Sequence, residues 1–222
     1  MYPFKITALA TAAIVASALG ACSTPYSAPA SPMTFFVTSV NPGKGADLGG
    51  LAGADAYCQT LAQNAGANGR TWRAYLSATA SAIGAAVNAR DRIGAGPWQN
   101  AQGEVIANNV EDLHTGSRLN KLTALTETGQ SVSGRGDPVN THDILTGSEP
   151  DGRVANRATD TTCANWTSSN EGSAIVGHHD RTGLDESAPA KSWNSSHATR
   201  GCSVDALKST GGAGLLYCFA AR

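Results

Sequence analysis

The sequence has no surplus of positive charge. Its 222 residues carry 16 basic against 17 acidic side chains, a formal charge of −1, whereas a nucleic-acid binder usually shows a clear basic excess. Paired cysteines at C-x2-4-C spacing are also missing. The five cysteines stand singly, which argues against a zinc ribbon or finger. No G-x-S-x-G, no H-E-x-x-H and no phosphate-binding glycine loop with Lys-Ser/Thr occurs, so the common hydrolase, metalloprotease and nucleotide-binding signatures are absent. Serine, histidine and aspartate are plentiful, but nothing in their spacing favours a catalytic triad. There is no heptad and no internal repeat. Aromatics make up only 6%, while glycine, alanine and small polar residues abound, which predicts a loop-rich domain with a modest core.

One apolar run is present, Ile6 to Leu19, preceded by Lys5 and interrupted only by Thr and Ser. It is short for a membrane span, which needs about 20 apolar residues, and reads as an export signal over residues 1–21. It ends in Leu19-Gly20-Ala21-Cys22, which resembles the lipobox of bacterial lipoproteins. That resemblance implies cleavage before Cys22, acylation of its thiol and anchoring to a lipid bilayer. Ser23 then implies the outer membrane, on its periplasmic or cell-surface face. Residues 22–33 are the acylated cysteine and a Pro/Ser/Ala tether with no apolar periodicity, and residues 34–222 form the domain. Setting Cys22 aside leaves four cysteines, an even number in an oxidising compartment, so two disulfides are expected.

Along the domain, Thr34–Val40 has strand composition. A helix follows, with Leu51, Ala54, Cys58, Leu61 and Ala65 on its buried face, Asp55 near its start favouring the helix dipole, and Gly66 at its end. Arg70–Ser77 reads as a strand with Trp72, Ala74 and Leu76 on one face. Residues 78–89 are ambiguous between helix and loop. Short strands are expected at 97–100 and 104–107 around Gly103, and a helical turn at 110–114. From 115 to 140 the chain reads as a long loop with one or two short strands, a length usually reserved for function. Further short strands are expected near 174–178 and 191–194, and a final one at 215–219. The class is α+β: few helices, many short strands, long loops.

Several segments then carry a resemblance: GLAGADAYCQTLAQ, RTWRAYLSA, VNARDRI with PWQNAQGEVIANNVEDL, LTGSEPDGR, CANWTS and the widely spaced late cysteines. In this order they resemble the C-type-lectin-like superfamily, and within it the endostatin domain of collagens, over most of 50–220. The resemblance implies nested bridges, Cys58 to Cys218 and Cys163 to Cys202. It implies a non-enzymatic binding module whose ligand, a glycan or a protein, meets a loop face formed by 115–160 and 170–200. The alternatives are a calcium-dependent carbohydrate lectin and a structural envelope protein without a diffusible ligand.

Four groups of residues are candidates for chemistry. Calcium-dependent relatives hold the ion with an EPN or QPD tripeptide and a WND tripeptide. Here Glu149-Pro150-Asp151 matches the first, but Trp193-Asn194-Ser195 lacks the acidic member, and calcium wants six to eight oxygens; the bland alternative is a tight turn. His178, His179 and Asp180 with His197 have the ligand types for zinc, although neighbouring histidines on a strand point opposite ways, and the N-terminal zinc ligands of endostatin have no counterpart here. Arg135-Gly136-Asp137 is the tripeptide read by integrins, or simply a charged pair that organises its loop. Arg70, Arg73, Arg90, Arg92, Arg153 and Arg157 are candidates for an anionic-glycan patch of the kind endostatin implies, without support from the net charge.

Overall fold

The computed structural model describes residues 1–3, 31–82 and 84–221. Most of the export signal, Cys22 and most of the tether lie outside the described residues. Strands are β1 (Phe35–Val37), β2 (Trp72–Ala74), β3 (Trp98–Gln99), β4 (Val105–Ala107), β5 (Asp143–Leu145), β6 (Ile175–His178), β7 (His197–Ala198) and β8 (Gly212–Ala220). Helices are α1 (Gly50–Asn64), α2 (Val110–Thr115) and α3 (Val204–Lys208).

The main sheet runs β1-β8-β5-β6-β7, and β2 also pairs with β8. β8 is therefore the hub: antiparallel to β1 and β2, parallel to β5. Its side chains alternate with period 2. Leu216 and Cys218 enter a core with Phe36, Cys58, Trp72 and Trp166. Leu215, Tyr217 and Phe219 enter a second core with Phe35, Tyr75, Trp98 and Trp193. The sheet is thus buried on both faces, which is why β8 reads as a near-continuous apolar run.

The two bridges are nested, as the resemblance implies: Cys58–Cys218 spans 160 residues and Cys163–Cys202 spans 39. Chain-entropy arguments give ceilings of roughly 5 and 4 kcal/mol for such loops.

Three expectations need correction. Asp55 does not serve the helix dipole: α1 begins at Gly50, and the buried Asp55 carboxylate accepts from Arg73 Nη1 (2.6 Å), Arg92 Nη2 (2.6 Å) and the Ala74 amide (2.9 Å). It locks α1 to β2, and the buried face of α1 is Ala54, Asp55, Cys58 and Ala62, with Leu51, Leu61 and Ala65 only partly buried beside it. Residues 191–194 do not form a strand: Lys191 ends a 3-10 turn that begins at Pro189, and the strand is β7. Between α2 and β5 the expected short strands shrink to single β-bridges, Leu125 with Ser131 and Thr126 with Val37; buried Leu119, Ala124, Leu125 and Val132 pin that loop, and the Glu127 carboxylate accepts from the Ser39 amide at 3.0 Å.

Residues Cys163–Trp166 form a left-handed turn, with φ of 47°, 53°, 56° and 67° in succession. L-residues disfavour this by about 1–2 kcal/mol each. Surrounding bonds hold it: Trp166 Nε1–H donates to the Ser77 carbonyl (2.7 Å), Asn165 Oδ1 accepts from the Thr79 amide (2.8 Å), and the Ala164 amide donates to Asp160 (2.9 Å).

Candidate functional site

β5 and β6 run antiparallel with Asp143 directly opposite His178. β7 pairs with β6, placing His197 opposite Val176, two residues before His178 and on the same face. His142 stands just before β5, where strand alternation no longer applies. Three imidazoles therefore surround one carboxylate. Oδ1 of Asp143 lies 3.2 Å from His142 Nε2, 3.3 Å from His178 Nε2 and 3.4 Å from His197 Nε2. His142 and His178 are stacked, ring centres 4.0 Å apart and planes within 12°. Gly211, with φ of 108°, passes so close that a Cβ there would sit 3.2 Å from the His142 ring, so this wall of the site demands a glycine.

The Asp143, His142 and His178 side chains are buried, while that of His197 is 37% exposed. None of the three nitrogens meets hydrogen-bond geometry at Asp143, and both carboxylate oxygens and His178 Nε2 lack a hydrogen-bond partner. Burial pushes the Asp143 carboxyl up, but His178, His197 and His142 outweigh it and leave it below the usual range. Asp143 in turn raises His197.

His142, His178 and His197 line a cleft of about 550 Å³ together with Arg135, Leu184 and Arg200. Leu184 is 88% exposed at its rim. Neither guanidinium, Arg135 or Arg200, has a hydrogen-bond or ion-pair partner among the described residues.

Of the residues singled out in the sequence, His178 and His197 meet here. His179 faces away, as alternation requires, its Nε2 donating to the Ser133 carbonyl at 3.2 Å, and burial lowers its pKa. Sequence reasoning missed His142 and Asp143 as members of the cluster, because only the cross-strand register reveals their partners. Glu149, Asp151 and Asn194 are not gathered as a set of oxygens. Glu149 pairs with Arg157 at 3.4 Å and Asp151 pairs with Arg153. Asn194 is buried, and its amide donates to Tyr75 Oη (3.0 Å) and to the Glu149 and Pro150 carbonyls (3.1 and 3.2 Å), fastening the turn. In Arg135-Gly136-Asp137, the Asp137 carboxylate pairs with Lys121 and accepts from the Gly134 amide, and the Arg135 amide donates to Asp180 at 2.7 Å. The carboxylate thus organises its own loop while the Arg135 side chain is left to the cleft. Arg73 and Arg92 are tied to Asp55, Arg90 donates to the Asp151 carbonyl (2.6 Å) and Arg70 to the Ser31 carbonyl (3.1 Å); these arginines hold the fold.

A family model described as Collagenase NC10 and Endostatin matches residues 36–188. The chain belongs to the endostatin family. No curated protein matches it. Endostatin-like domains are non-enzymatic binding modules as a class, and the mixed α+β sheet with two nested bridges agrees with that assignment. The family match includes His142, Asp143 and His178; His197, Arg200 and the hub strand β8 follow it in the chain.

Proposed function

We propose that this chain is an exported, lipid-anchored binding module, held at the bacterial outer membrane through acylated Cys22, that takes an acidic glycan into the cleft between Arg135 and Arg200. One observation carries the reading: two guanidinium groups without protein partners line the same concavity. Guanidinium forks match carboxylate and sulfate geometry, and the cleft lies on the loop face expected from the resemblance. The modest net charge fits a local anion site better than a broad polyanion field.

The test is a glycan array carrying neutral, uronic-acid and sulfated members. Binding confined to acidic members is expected, falling at least tenfold in Arg135→Ala/Arg200→Ala with an unchanged melting temperature. Selective binding to neutral sugars that calcium strengthens would replace this reading with a calcium lectin. Silence across the array would favour a structural envelope role, and binding that survives the double variant would move the site elsewhere.

A further inference from the structure

The histidine–aspartate cluster has too few protons in the right places. The ring nitrogens that face away from it each meet an oxygen that only accepts, closer in the case of His178 than the Ser196 hydroxyl at 3.3 Å. His178 Nδ1 lies 2.8 Å from the Ala190 carbonyl, His142 Nδ1 3.2 Å from Asp180 Oδ1, and His197 Nδ1 3.2 Å from the Ala198 carbonyl. Each Nδ1 must then carry the hydrogen, and the neutral tautomer leaves Nε2 as a bare lone pair. Three unprotonated nitrogens consequently crowd within 3.4 Å of a carboxylate oxygen that also has only lone pairs to offer. Giving every Nε2 a proton would put three imidazolium rings around one carboxylate, two of them face to face at 4.0 Å. Neither arrangement satisfies the buried atoms. A cation at the centre gives Oδ1 and the three Nε2 atoms a common partner, once the stacked His142 and His178 rings turn their lone pairs onto it.

We infer that His142, Asp143, His178 and His197 hold a divalent transition-metal ion, zinc by preference, through three Nε2 atoms and Oδ1 of the carboxylate. The size is right. A tetrahedral zinc shell with bonds of about 2.0–2.1 Å has edges of about 3.3–3.4 Å, and the three nitrogen–oxygen separations are 3.2, 3.3 and 3.4 Å. The ligand atoms of His142, Asp143 and His178 all lie within 4.8 Å of one another, the only such histidine, cysteine and acidic group among the described residues; His197 stands outside that group, 3.4 Å from Asp143 Oδ1, and completes the shell by closing in from the exposed side. Imidazole donors select zinc, copper or nickel over calcium or magnesium, and zinc accepts tetrahedral geometry without strain. The outer supports are in place too: a carboxylate behind His142 and backbone carbonyls behind His178 and His197, the partners that fix ring orientation at metal sites. The half-exposed His197 at the cleft gives the ion its way in.

Four protein ligands leave no open position, so the ion closes the floor of the cleft and joins β5, β6 and β7 rather than activating water. The inference needs no particular glycan, and its test is read on the metal alone. The full chain is stripped with chelator, dialysed and titrated with zinc by calorimetry, with metal content measured by mass spectrometry. One zinc per chain is expected, with a rise in melting temperature. Cobalt substitution should give the intense visible absorption of a tetrahedral site. Asp143→Asn should weaken zinc at least 100-fold, and His197→Gln, on the exposed side, should do so while leaving the metal-free melting temperature unchanged. Asp180→Asn, acting through His142, should cost about tenfold to 100-fold, and His179→Gln should change nothing. The inference is overturned by no zinc uptake at millimolar concentration, by an octahedral cobalt spectrum, or by uptake that His197→Gln leaves intact.

Discussion

Ala164 sits exposed in the left-handed turn with φ of 53°. Its methyl group contributes strain and no core contact. Replacing it with glycine removes the Cβ clash while adding unfolded-state entropy, and the first effect is larger. Ala164→Gly should therefore stabilise the domain by about 0.5–1 kcal/mol, a rise of about 1–3 °C in melting temperature by calorimetry. A fall would mean that the turn is held so firmly that no strain is released. This turn was not legible in the sequence. Asn165 tolerates positive φ, but Cys163, Ala164 and Trp166 carry no such signal; the conformation is imposed by Asp160, Thr79 and Ser77, two of them far away in the chain.

At the scale of elements, helix α1 and the strands with strong composition were readable, because apolar periodicity reports burial directly. Tertiary partners were not. Asp55 looks like a helix-dipole residue until Arg73 and Arg92 arrive from β2 and the turn after it. The Asp55 side chain is 9% exposed and that of Arg92 11%, against 44% for Arg73. Asp55→Asn should thus cost about 2–4 kcal/mol, mostly by stranding Arg92, whereas Arg73→Ala should cost about 1 kcal/mol or less, since water screens it. Urea midpoints check both; equal losses would contradict this division. The candidate site was half legible for the same reason. His178 and His197 stood out as residue types, yet the cross-strand pairing of Asp143 with His178 is a matter of register, and a short polar-flanked strand such as HDILT does not announce its partner.

At the scale of the whole molecule, the nested bridges and the endostatin relationship were legible because motif order along the chain survives where single motifs are weak. The lipid anchor rests on Leu19 to Cys22 alone. Mass spectrometry of a membrane fraction should find Cys22 at the mature N-terminus carrying acyl chains, and Cys22→Ser should release the protein from membranes while its melting temperature stays the same. Wild-type protein recovered soluble and unmodified would remove the anchor.

The hub position of β8 sets the timing of assembly. β1 and β2 find their common neighbour only when residues 212–220 arrive, and the Cys58 thiol waits for Cys218. A nascent polypeptide emerging in order can pair β3 with β4 and β5 with β6 and β7, but cannot join β1 and β2 to them until nearly all of the domain is out. Such a chain closes its central sheet last, when its own end is free to dock.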